Sequence, residues 1–119
     1  FCNGENQMTA ARYDLVIDQG SDFAIEFTVN ESGSAKNLTG YTARAQLRPT
    51  KSSSTLTATF TCSIPTPTNG KISMILSNAT TTGLAAGRFF YDLEIFTSSD
   101  TLVQRLLFGE VTITQEVTR

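Results

Sequence analysis

From Gly87 to Phe96 the chain reads Gly-Arg-Phe-Phe-Tyr-Asp-Leu-Glu-Ile-Phe, and its large apolar residues recur with a period of two. Phe89, Tyr91, Leu93 and Ile95 fall on one side, and Phe90, Asp92, Glu94 and Phe96 on the other. An extended chain points successive side chains to opposite faces, whereas a helix repeats every 3.6 residues. This stretch is therefore a strand with one apolar face and one mixed face, central to a sheet over a core.

The same period governs most of what precedes it. Tyr13, Leu15 and Ile17 share one side, and after Gln19-Gly20-Ser21 the pattern resumes with Phe23, Ile25, Phe27 and Val29 inward. A turn cluster at 30–34 offers Gly33 for positive φ. Beyond the turn at 37–40, Tyr41, Ala43, Ala45 and Leu47 alternate with Thr42, Arg44, Gln46 and Arg48 until Pro49, which cannot donate to a ladder. From Thr55 to Ile64, threonines occupy one face and Leu56, Ala58, Phe60 and Cys62 the other. Pro65 to Gly70 is the strongest turn signal, and Ile72, Met74 and Leu76 mark the next strand. Residues 78–86 allow at most one short helical turn, closed by Gly87. In the last strand Val111 and Ile113 read as buried. Gly109 is a candidate bulge, and the phase from Val103 to Phe108 is open.

Seven or eight short strands with turns every 8–12 residues give an all-β, antiparallel β-sandwich, with a small barrel as the alternative. The domain spans 13–115, between a leader at 1–12 and a polar tail at 116–119; residues 1–7 are not a signal peptide and lie outside the strand pattern. Roughly twenty-five inward apolar side chains, at about 1.5–3 kcal/mol each, suffice for a core without disulfides.

Composition narrows function mainly by exclusion. With 119 residues, 39% hydrophobic and 17% charged, the chain is a single globular domain. A net charge of −2 carries no basic footprint for nucleic acid. No apolar run reaches the length of a membrane span. The chain has no histidine, which removes the commonest general base and metal ligand. Cys2 and Cys62 are too few for a zinc cluster, and Cys62, on an apolar strand side, reads as a buried thiol.

If the strands follow the order of an immunoglobulin-like sandwich, the third and sixth are neighbours. Arg44 and Arg48 then share an outer face with Asp92 and Glu94, with Phe90 and Phe96 at its ends. The plain reading is a solvated ladder of opposite charges. The functional one is a docking face, since aromatic residues beside arginine are common interface anchors. Asp92 and Glu94 as an acid–base pair are disfavoured, because neighbouring arginines would lower their pKa values and nothing in the sequence indicates a pocket. The spacing of Asp14, Asp18 and Asp22 is not that of a calcium loop. The sequons at Asn37 and Asn78 are read as chance matches in a threonine-rich chain.

Four blocks then appear together: Tyr-Asp-Leu-Val-Ile-Asp-Gln-Gly-Ser-Asp-Phe (13–23), Leu-Thr-Gly-Tyr-Thr-Ala-Arg-Ala-Gln-Leu-Arg (38–48), Ala-Gly-Arg-Phe-Phe-Tyr-Asp-Leu-Glu-Ile (86–95) and Arg-Leu-Leu-Phe-Gly-Glu-Val-Thr-Ile (105–113). In this order they resemble small virion proteins of tailed bacteriophages, cyanophages among them. The first two blocks are also similar to the N-terminal immunoglobulin-like module of phage baseplate upper proteins. The resemblance implies a non-enzymatic structural part of the virion, with no catalytic residue, metal or cofactor. It would be assembled in the host bacterial cytoplasm and bind other phage structural proteins in symmetric, multi-copy form, at tail, baseplate, neck or capsid surface. The partner-contact candidates are Arg44, Arg48, Phe90, Asp92, Glu94 and Phe96. A carbohydrate-binding sandwich acting in host attachment is the alternative, with Phe90, Phe96 and Phe108 as its stacking candidates.

Overall fold

In the computed structural model, which describes residues 11–31, 33–98 and 101–117, the chain is mostly β. Ten strands form: β1 (Ala11–Arg12), β2 (Leu15–Asp18), β3 (Phe23–Thr28), β4 (Asn30–Glu31), β5 (Ser34–Ala35), β6 (Thr42–Arg48), β7 (Ala58–Ser63), β8 (Lys71–Leu76), β9 (Gly87–Phe96) and β10 (Val103–Thr114). A single α-helical turn, α1 (Asn78–Thr82), joins β8 to β9, and a 3-10 turn at Pro67–Asn69 precedes β8. β4 and β5 make a small separate hairpin around Gly33, whose φ of 81° fits the turn read from the sequence.

The other strands form one continuous sheet in the order β1-β10-β9-β6-β7-β8-β3, with β2 also on β10. The strand β7 holds it together. Its first half, from Ala58 to Phe60, pairs with β6, and its second half, from Thr61 to Ser63, pairs with β8. The sheet curls about this strand until its two ends meet: Tyr13 beside β1 stacks edge to face on Phe27 of β3, with ring centroids 5.2 Å apart. Inside the curl lie Leu15, Ile17, Phe27, Leu47, Phe60, Ile72, Met74, Leu93, Ile95, Val111 and Ile113. The period-two readings of β2, β6, β8 and β9 are all present as alternating burial.

The sheet is mixed rather than purely antiparallel. β1 and β2 run parallel to β10, with Ala11 beside Leu107 and Val111 beside Leu15. Ala11 and Arg12, assigned to the leader by the sequence, thus belong to the sheet. The two short strands keep one register with β10 and are interrupted only at Tyr13 and Asp14. There the chain bows inward over Gly109, and the Tyr13 carbonyl receives the Tyr91 hydroxyl, while the Asp14 carboxylate accepts the Glu110 N–H at 3.0 Å. A side chain at 109 would not fit, since a Cβ would stand 2.5 Å from the Tyr13 carbonyl oxygen.

Three local readings are corrected. Gly109 is not the bulge; the register slips between Arg105 and Leu107, leaving Leu106 as the extra, buried residue. That slip explains why no single phase fits the segment, since Val103 and Arg105 face outward before it and Phe108 after it. Residues 55–57 lie outside the strand: only the Thr57 N–H reaches the Leu47 carbonyl, and Leu56 is exposed. The helical turn ends at Gly83 rather than Gly87, which opens β9 with φ 141°.

The end of the sheet near α1 is fastened by side chains. Ser77 caps the helix by accepting from the Thr80 N–H, and Asp22 accepts from the Asn78 N–H at 2.7 Å. Thr81, the only fully buried polar residue among those described, donates to the Ser21 carbonyl at 2.7 Å. Gln19 donates to the Leu84 carbonyl and accepts from the Glu116 N–H, tying the β2–β3 turn to the residues following both α1 and β10.

Candidate functional site: the outer face of β6, β9 and β10

The register of the three strands sets the outer face. Across β6, β9 and β10 the rungs are Thr42–Phe96–Val103, Arg44–Glu94–Arg105, Gln46–Asp92–Phe108 and Arg48–Phe90–Glu110. All six residues singled out from the sequence therefore come together, on the two strands expected to be neighbours. Phe108, named from the sequence only as a stacking candidate, joins them, as do Arg105, Gln46 and the loop residue Lys51, which were not among the candidates. Arg105 was hidden by the unread phase of β10, and no period places Lys51, which lies in the connection after Pro49.

Arg44 is held from two sides. Its Nε donates to Glu94, and its guanidinium lies 4.2 Å from the Phe96 ring centroid. A half-exposed ion pair of this kind contributes about 0.2–1 kcal/mol, and the cation–π contact about as much again. Arg48 pairs with no carboxylate among the described residues. It donates to Gln46 Oε1 at 2.8 Å and to the Ser53 carbonyl at 3.4 Å, bracing the loop that follows β6.

Between that loop and the β9–β10 surface lies a cleft of about 460 Å³, where the sequence indicated no pocket. Gln46, Phe90, Asp92 and Phe108 form its floor, with Arg48, Lys51 and Arg105 at its walls. The Lys51 ammonium stands over both rings, 5.7 Å from the Phe90 centroid and 5.8 Å from that of Phe108. Arg105 reaches the Phe108 ring at 5.8 Å and Asp92 at 3.9 Å. Phe90 and Phe96 are thus half-buried beneath cations rather than standing free.

The arginine neighbours act to lower the Asp92 pKa as expected, yet its net shift is upward. Partial burial in the cleft raises it, and the adjacent Glu94 adds to the rise; Arg105, Arg48 and Arg44 oppose this but do not outweigh it. The sign of the consequence is definite. A carboxyl whose folded pKa lies above its unfolded value destabilises the fold once ionised, and the cost fades as pH falls through the folded pKa. Asp92→Asn should therefore unfold at the same or higher urea concentration than the parent at pH 7, with the gap closing in acid. A variant clearly less stable at pH 7 would show that Asp92 gains more from Arg105 than the cleft costs it.

Cys62 has its thiol pushed up to about 11 by burial against the core, which leaves little thiolate at neutral pH. Cys2 lies outside the described residues, so the pairing question does too. Among the described residues no group of three or more His, Cys, Asp or Glu side chains could hold a metal ion. What the face offers is charge of both signs set around two aromatic rings.

No family model and no curated protein gives a significant match to this chain.

Proposed function

We propose that this protein is an immunoglobulin-like β-sandwich that acts as a non-enzymatic structural component of a bacteriophage virion. It docks on neighbouring phage proteins through the outer face of β6, β9 and β10, in a symmetric multi-copy assembly at tail, baseplate, neck or capsid surface. The sandwich part of this reading draws on the way β7 divides its pairing between β6 and β8, which splits the curled sheet into a β2–β10–β9–β6 layer and a β8–β3 layer. The phage part draws on the resemblance of the four sequence blocks.

The observation that carries the docking role is the four-rung face itself. Arg44, Glu94 and Phe96 form a preorganised charged and aromatic cluster, and a cleft lies beside it. Interfaces concentrate arginine and aromatic side chains at their centres, and side chains already fixed in place lose less entropy on association.

Reversing the charge at Arg44→Glu and Arg48→Glu together tests this. Both side chains lie on the outer face, so the double variant should keep its circular dichroism spectrum. Its incorporation into particles should fall severalfold, read by mass spectrometry of purified virions. Incorporation at the parental level would reduce this face to ordinary solvated surface and overturn the docking role.

A further inference from the structure

We infer that the cleft between the 49–54 loop and the β9–β10 surface is a carboxylate-recognition site that takes an acidic, extended segment of a neighbouring protein chain. This rests on the docking role of the same face and names the chemistry of the partner. The charges in the cleft lean one way. Arg48, Lys51 and Arg105 line it against Asp92 and Glu94, a local balance of 3 − 2 = +1 in a chain whose net charge is −2. Both acids already have cationic neighbours: Glu94 is bonded to Arg44, and Asp92 lies 3.9 Å from Arg105.

The cations on the loop side are the ones left over. Lys51 makes no ion pair among the described residues; its ammonium rests on two ring faces at 5.7 and 5.8 Å. Arg48 is bonded to an amide and a carbonyl oxygen, neither of them charged. An ammonium resting on two ring faces has no ion-pair partner among the described residues, and a Glu or Asp side chain entering the cleft supplies one. The methylenes of that side chain would lie against the edges of Phe90 and Phe108. The volume of about 460 Å³ falls in the range of ordinary ligand sites and is enough for one or two side chains. Gln46 and Asp92 on the floor can accept N–H groups of the incoming backbone. A sugar fits less well, because the ring faces on which it would stack are already covered by Lys51.

The probe is a hexaglutamate peptide, titrated into the ¹⁵N-labelled chain at low salt and followed by amide chemical shifts. Shifts should cluster in the 49–54 loop and around Phe90 and Phe108, and added salt should weaken them as for any charge-driven contact. Lys51→Glu lies on an exposed loop and leaves the fold intact; it should weaken binding by about tenfold or more. Failure of hexaglutamate to shift these amides overturns the inference, as does equal or tighter binding of hexalysine or of trigalacturonate, the latter assigning the cleft to an acidic glycan. Particle incorporation separates the two levels of the proposal. Loss with Arg44→Glu/Arg48→Glu but not with Lys51→Glu would keep the docking face and overturn the carboxylate site. Parental incorporation of both variants would overturn the docking face itself.

Discussion

Gly109→Val should cost about 3 kcal/mol or more of stability, read as a drop in the urea midpoint with an unchanged slope. The reason is a close passage of backbone over backbone rather than a turn. Where β1 gives way to β2, Tyr13 and Asp14 bow inward across position 109, and a Cβ there would stand 2.5 Å from the Tyr13 carbonyl oxygen and 2.8 Å from Asp14 Oδ1. Room could be made only by lifting residues 13–14. That would cost the Tyr91 hydroxyl its acceptor and the Glu110 N–H its carboxylate, both made at this point. Tyr91 is 4% exposed, so its stranded hydroxyl would remain in the interior. A loss below about 1 kcal/mol would mean that the bow is slack and that β1 and β2 adjust freely against β10.

The second large effect is expected at Leu93→Ala, at about 3–4 kcal/mol within the range for buried leucine truncations. Leu93 is fully buried at the middle of β9, beside Ala45 of β6 and Leu107 of β10. Its β6 neighbour is already a single methyl, so little on that side can swing into the space left behind. The cavity would stay open, and the upper part of the range applies. Equilibrium urea unfolding measures this directly. A cost near 1 kcal/mol would show that the curled sheet collapses around the gap instead.

Much of this architecture could be read from the chain because burial on one face of a strand writes itself as a period of two. β9 matches its sequence reading residue for residue, and β6 ends at Arg48 before Pro49 as proline chemistry requires. The six outer-face candidates were legible for the same reason, since once Tyr41–Arg48 and Gly87–Phe96 are set side by side their outward residues must meet. Periodicity failed where a single residue breaks it. The extra Leu106 reverses the faces of β10, which concealed Arg105, and left the rung of Phe108 unknown, until the pairing was known. Leu38 is fully buried although it lies in the segment read as a turn, where no alternation could mark it. The parallel pairing of β2 with β10 has no local sequence signature either, because side-chain period is the same in parallel and antiparallel strands. The cleft was missed because it is made by a loop leaning over a sheet, and the position of Lys51 follows from tertiary packing alone.

The parallel pairing of β2 and β10 also fixes how the molecule answers a pull. The described chain enters beside β10 at Ala11 and leaves past Thr114, at the far end of the same ladder. Tension drawn between those two points therefore slides β2 lengthwise against β10, stressing the bridging hydrogen bonds together instead of unzipping them one at a time. A part built this way can sit in line with a mechanical load.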